Sequence, residues 1–278
     1  MRFGTLSERL VLVREHAALD VNQASEGRFP ADVKTALERW EELRAWAGQA
    51  DWSAARPLDE AALGPPVPLP RQVFAVALNY RPHAVEAGFS PPSEPLIFTK
   101  FPSCITGPYG TIALPDGHVD WEIELVAVIG TGGRDIARAN AWDAIAGVTI
   151  GQDLSERKLQ LTGTPPQFSL AKSFARFGPT GPVAVATDEL ADRDDIGFEC
   201  WLNNERVQRG RTSEMIFPVD DLVARMSRVC RLLPGDLIFT GTPAGVGNRR
   251  NPPRYLAEGD VLVSRFEGIG EIRQSFAR

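Results

Sequence analysis

Asp120-Trp121-Glu122-Ile123-Glu124-Leu125-Val126-Ala127-Val128-Ile129-Gly130 opens with three acids in five residues and then turns wholly apolar. The run from Leu125 to Ile129 has the length and β-branched content of a strand buried on both faces. Glu122 and Glu124 stand two residues apart at its entry, so on a strand they project from the same face. An E-x-E pair alone usually marks a water-facing strand, but an apolar run directly behind it argues against that. Two carboxylates at the mouth of a buried strand repel each other and need a cation.

Similar short apolar runs recur on both sides of this segment, at 73–78, 96–99, 146–150, 183–186, 198–202, 237–240 and 261–266, bounded by some of the 25 glycines and 22 prolines. Together with 125–129 they read as eight strands. One helix is expected from Val219 to Leu233, where Val219, Leu222, Val223, Met226 and Val229 keep helical spacing until Pro234-Gly235 stops it. Residues 1–22 alternate weakly and suggest a short hairpin. Beyond Pro30, Val33, Leu37, Trp40, Leu43 and Trp46 lie on one stripe of an amphipathic helix. The proline-rich stretch 56–70 reads as an extended linker. These patterns predict an α+β chain that is mostly β, with a small N-terminal α/β domain over 1–65 and a second domain over 66–278.

The net charge of −6 argues against a nucleic-acid partner, whose phosphates need a basic face. No apolar stretch is long enough to cross a bilayer, and charges interrupt the N-terminus where a signal peptide would be apolar, so a cytoplasmic location is expected. Cys104, Cys200 and Cys230 are odd in number and widely spaced, and read as free thiols rather than a disulfide or zinc framework.

Asp153 ends the expected strand 146–150 and adds a third carboxylate to Glu122 and Glu124; its ordinary reading is the N-cap of a helix over 154–161. Three carboxylates without a Cys or His cluster are a hard oxygen donor set, suited to Mg²⁺, Mn²⁺ or Ca²⁺, and no lysine stands nearby in sequence to balance them. His83 and Glu86 have i, i+3 spacing just after the 73–78 strand. Such a pair is commonly a surface ion pair, but here it also suits a carboxylate orienting an imidazole that draws a proton from water. Lys172 is one of four lysines in the chain and sits among apolar neighbours; it reads either as a snorkelling side chain or as a cation for a developing enolate. Arg157 and Gln160, i and i+3 after Asp153, suit a substrate carboxylate. The Gly-rich stretch 240–247 lacks the frame of a nucleotide loop and is either a turn or a pocket wall that includes Thr242.

In this order, ALNYRPHAVEAG, PLIFTKFPSCITGP, DWEIELVAVIG, IGQDLSERKLQ, AKSFARFGPTGP, NNERVQRGRTSEMIF and LIFTGTPAGVG resemble the fumarylacetoacetate hydrolase family over roughly residues 72–270. The resemblance implies a mixed β-roll catalytic domain, a homodimer, and a divalent cation, usually Mg²⁺, held by Glu122, Glu124 and Asp153. It also implies a water-activating dyad of His83 and Glu86, a polarising role for Lys172, and substrate contacts from Arg157, Gln160 and Thr242. The chain departs from the family pattern at Asn203-Asn204 and in the proline-bearing segment after Gly88. The expected activity is metal-dependent hydrolysis of a carbon–carbon bond in a small acidic 2-oxo or 1,3-diketo compound. The alternatives are an enol–keto isomerase, a 2-oxo acid decarboxylase, or a catalytically silent ligand-binding homologue.

Overall fold

The computed structural model describes residues 1–278. Its centre is the antiparallel pair of strands Ile123–Ile129 and Ile145–Gln152, every residue of which is buried. The two-residue period of a strand explains how an unbroken apolar run is covered on both sides. Ile123, Leu125, Ala127 and Ile129 enter one core, while Val126 and Val128 enter another on the opposite face.

From this pair the main sheet grows in both directions. On one side come Gly178–Val185 and then the N-terminal strands Arg2–Leu6, Arg9–Arg14 and Ala17–Asp20; on the other come Leu237–Phe239, Val73–Ala77 and Leu96–Thr99. A five-stranded sheet runs in the order Glu205–Arg211, Gly197–Leu202, Val261–Phe266, Gly270–Ala277 and Tyr109–Ala113. Its Phe198, Leu262 and Ile272 close the first core. The mixed, mostly β architecture agrees with the expected fold class.

All eight expected strands are present with ends shifted by a few residues. Tyr109–Ala113, Glu205–Arg211 and Gly270–Ala277 were not expected. Each mixes buried with exposed or half-buried positions and has no apolar run to mark it. The first 22 residues hold three strands rather than one hairpin.

The N-terminal helix is two helices, Val33–Leu37 and Trp40–Ala47. Asp32 caps the first by accepting from Thr35 N at 2.9 Å. Arg39 leaves helical geometry with φ −116° and ψ 41°, and the redirected second helix lays Trp40 against Phe3 at 6.2 Å between ring centroids. The later helix ends at Val229, before Leu233, because the chain turns extended at Cys230 and Leu232 bridges to Gly133.

The boundary expected near residue 65 is crossed by both sheet and core. Phe3 pairs with Ala184, Thr5 pairs with Gly64, and the second core joins Leu10, Trp40 and Leu43 to Val126, Val128 and Phe239. The expected linker is pinned at Arg56–Pro57 and Leu63–Gly64 by strand pairing. The three cysteines are free, and burial pushes the Cys200 thiol up to about 12.

Candidate active site

Antiparallel pairing brings the start of the 123–129 strand to the end of the 145–152 strand, with Ile123 opposite Gln152 and Glu124 opposite Gly151. Asp153 is thereby delivered beside Glu122, whose carbonyl accepts its N–H at 2.9 Å. Glu122, Glu124 and Asp153 each offer a carboxylate oxygen within 4.8 Å of the other two, and all three are buried.

Asp153 is not a helix N-cap. That role belongs to Glu156, which accepts from Lys158 N at 3.1 Å and Leu159 N at 2.7 Å and caps the short helix Arg157–Gln160. Nor do the acids lack nearby cations. Lys172 Nζ donates to Glu122 Oε2 at 2.8 Å and to Asp153 Oδ2 at 2.6 Å, and Lys100 Nζ donates to Asp153 Oδ1 at 2.7 Å. Arg157 donates to Glu122 Oε1 at 2.7 Å, to Asp120 Oδ1 at 2.5 Å and to Gln160 Oε1 at 2.8 Å. Lys100 and Asp120 escaped the sequence reading, although Lys100 is as rare and as apolar in its setting as Lys172.

The cluster therefore sets Asp120, Glu122, Glu124 and Asp153 against Lys100, Arg157 and Lys172, one negative charge in excess. That excess falls on Glu124, whose one hydrogen bond comes from Gly241 N–H to Oε2 at 2.7 Å. Burial and the adjacent Asp153 and Glu122 carboxylates push its pKa well above the ordinary carboxylate value. Burial opposes ionisation of Glu122 too, but Lys172 and Arg157 outweigh it and hold that carboxyl at about 2. For Lys172 the Asp153 and Glu122 charges overcome burial and raise its pKa, so it stays an ammonium. A divalent cation fits this set. The donors are hard oxygens, they converge, and the one without a cationic partner is destabilised in its charged form.

A cavity of about 480 Å³ opens over the cluster and is lined by His83, Glu122, Arg157, Gln160, Lys172 and Thr242 among others. Six of the nine expected residues thus share one wall system; Glu124 and Asp153 lie behind it, and Glu86 supports His83 from outside. His83 Nδ1 lies 2.9 Å from Glu86 Oε2, and Glu86 Oε1 accepts Gly245 N–H at 2.9 Å. A carboxylate partner calls for a proton on Nδ1, which leaves Nε2 as the basic nitrogen. Thr242 lines the cavity with its hydroxyl already engaged, donating to Ile123 O at 2.9 Å and accepting from Gln208 Nε2 at 2.8 Å. A larger concavity of about 1230 Å³ beside the N-terminal strands contains none of the nine residues.

Residues 72–277 match the profile described as Fumarylacetoacetate (FAA) hydrolase C-terminal. A human protein named oxaloacetate tautomerase FAHD2A, mitochondrial, is 40% identical over 237 residues, covering 81% of this chain and 76% of its own. The crystal structure of a candidate HpcE protein from Mycobacterium smegmatis superposes with a TM-score of 0.95 at 52% identity, covering 100% of this chain and 99% of the other. Maleylpyruvate hydrolase from Sphingobium sp. SYK-6, in complex with manganese(II) and pyruvate, superposes with a TM-score of 0.80 at 26% identity, covering 100% and 99%. No helix in the chain is long and apolar enough to cross a membrane.

Proposed function

Because the chain belongs to the fumarylacetoacetate hydrolase family, we propose that it is a divalent-metal-dependent enzyme that hydrolyses a carbon–carbon bond in a small acidic 2-oxo or 1,3-diketo compound. The observation that carries this reading is the His83–Glu86 pair, fixed by Gly245 and placed at the same cavity as the acidic cluster. A divalent ion such as Mg²⁺ or Mn²⁺, held by Glu122, Glu124 and Asp153, would supply Lewis-acid polarisation of the substrate's 2-oxo group. The structure of maleylpyruvate hydrolase with manganese(II) and pyruvate supports that choice.

The protein's own groups do the rest. His83 Nε2 takes a proton from water, and Glu86 stabilises the imidazolium that forms. The hydroxide adds to the distal carbonyl, the bond to the methylene carbon breaks, and its electron pair leaves with the 2-oxo fragment as an enolate. The Lys172 ammonium, on the wall of the same cavity, stabilises the negative charge that develops. The imidazolium proton then returns to the enolate carbon, so that one water is consumed and a carboxylic acid and a 2-oxo acid are formed. Arg157 and Gln160 line the wall nearest the cluster and orient the substrate's acidic head.

A second reading is enol–keto interconversion of a 2-oxo acid, favoured by the 40%-identical relative named an oxaloacetate tautomerase. It uses the same base and the same cation without a water molecule. Acylpyruvate cleavage and oxaloacetate enol–keto conversion, each assayed with and without EDTA, separate the two. EDTA-sensitive cleavage is the expected result; conversion without cleavage would select the second reading, and neither activity in the Mg²⁺-binding protein would defeat both. We place the enzyme in the cytoplasm as a homodimer, the latter measurable by light scattering.

A further inference from the structure

Trp121 is wholly buried between the acids Asp120 and Glu122, and a buried indole N–H needs an acceptor. It finds the carbonyl of Gly245, to which Nε1 donates at 3.1 Å. The N–H of the same glycine donates to Glu86 Oε1 at 2.9 Å, and the other oxygen of that carboxylate lies 2.9 Å from His83 Nδ1. Glu86 makes no further hydrogen bond and has no lysine or arginine partner. Its position beside the imidazole therefore depends on where Gly245 stands.

Gly245 is held from a second direction. Its φ is +104°, and a Cβ there would lie 2.2 Å from Val207 O, so the backbone is seated against strand Glu205–Arg211 as only glycine allows. On that strand the buried Gln208 commits its whole amide: Oε1 accepts Ile123 N–H at 3.1 Å, and Nε2 donates to Thr242 Oγ1 at 2.8 Å and Pro243 O at 3.0 Å. The segment 241–245 is thus clamped between this strand and residues 121–123. At one end its Gly241 N–H holds Glu124 of the acidic cluster, and at the other its Gly245 N–H holds Glu86.

We propose that Trp121 and Gln208 are positioning residues of the base: by fixing residues 242–245 they keep Glu86 on His83 Nδ1, so that Nε2 stays the basic nitrogen. This rests on the reading of His83 as the base. A His–Glu pair at i, i+3 is weak when nothing else orders it, because both side chains lose rotamer freedom to meet. Here the Gly245 N–H meets that requirement, and the segment that carries Glu122 supplies the support.

The test is the tautomer of His83, read from the imidazole ¹⁵N shifts of the magnesium-loaded protein at pH ~9, where an ordinary imidazole is neutral. The chain has three histidines, and the His83 signals are those missing in His83→Ala. The wild type should show one tautomer, with the proton on Nδ1. Trp121→Phe keeps a ring in the buried slot and Gln208→Met keeps the chain length, so either serves if the other does not fold; in each the two nitrogen shifts should move toward their common average, as in Glu86→Ala. The kcat of acylpyruvate cleavage should fall about tenfold, the worth of one or two neutral hydrogen bonds, at unchanged KM and Mg²⁺ affinity, with no further fall when either substitution is added to Glu86→Ala. A His83 tautomer unchanged in the folded variants, or a kcat loss that adds to that of Glu86→Ala, would overturn the proposal. Absence of cleavage by the wild type would defeat the hydrolytic reading instead, since the tautomer data report the positioning without turnover.

Discussion

Lys100 and Asp153 form an ion pair in the dry interior behind the acidic cluster: Nζ lies 2.7 Å from Oδ1, and the two side chains are 0% and 1% exposed. Lys100 also donates to the carbonyls of Lys172 and Phe177. It thereby ties the Asp153 carboxylate to the segment that carries the other lysine of the site.

Removing one member of a buried pair leaves an uncompensated charge, which costs about 3–5 kcal/mol, far more than a surface pair is worth. Lys100→Met should therefore destabilise the metal-free protein by about that amount, with a smaller loss in the double variant Lys100→Met/Asp153→Asn. Urea unfolding of the wild type, Lys100→Met, Asp153→Asn and the double variant measures this, and additive losses would show that the two residues are not coupled.

Glu124 is crowded by two carboxylates and has no cationic partner. Glu124→Gln should abolish high-affinity Mg²⁺ and Mn²⁺ binding in calorimetry while the metal-free protein keeps a near-native unfolding midpoint, because the substitution removes a repelling charge. Unchanged metal affinity would remove Glu124 from the ligand set.

His83→Ala should lower acylpyruvate cleavage by the ~10²- to 10⁴-fold typical of general-base loss, with metal affinity intact. Metal-promoted oxaloacetate decarboxylation, which needs no activated water, should fall much less. Parallel loss of both activities would make His83 a substrate-positioning residue.

Away from the site, Asp236 accepts from Gln72 N at 3.0 Å, Gln72 Nε2 at 2.6 Å and Leu233 N at 2.7 Å, and burial outweighs these bonds to push its pKa to about 6 from 3.8. The folded state then binds more protons than the unfolded chain between those values, so this group's contribution to stability falls as pH rises from 3.8 to 6 and is level outside that window. The stability difference between wild type and Asp236→Asn, followed by urea unfolding across pH 4 to 7, should decline through the same interval. A difference that grows with pH would reverse the assignment.

The eight apolar runs, the acids at Glu122 and Glu124 and the His83–Glu86 spacing were legible in the sequence, because strand period, apolar length and i, i+3 geometry are local properties of the chain. The three strands that mix exposed and buried positions, Tyr109–Ala113, Glu205–Arg211 and Gly270–Ala277, were not, since each is stabilised by its neighbours rather than by its own pattern. Charge pairing was equally out of reach. Lys100 lies 53 residues from Asp153 and Arg157 lies 37 from Asp120, and only the antiparallel register of 123–129 with 145–152 brings such groups into one buried cluster. The same holds for residues 1–65, whose pattern suggests a separate unit but whose first strand, Arg2–Leu6, joins the main sheet between Arg9–Arg14 and Gly178–Val185. Sequence by itself determined the family and the fold class; tertiary packing decided which acid is left without a cation, because burial and pairing are properties of distant segments brought together.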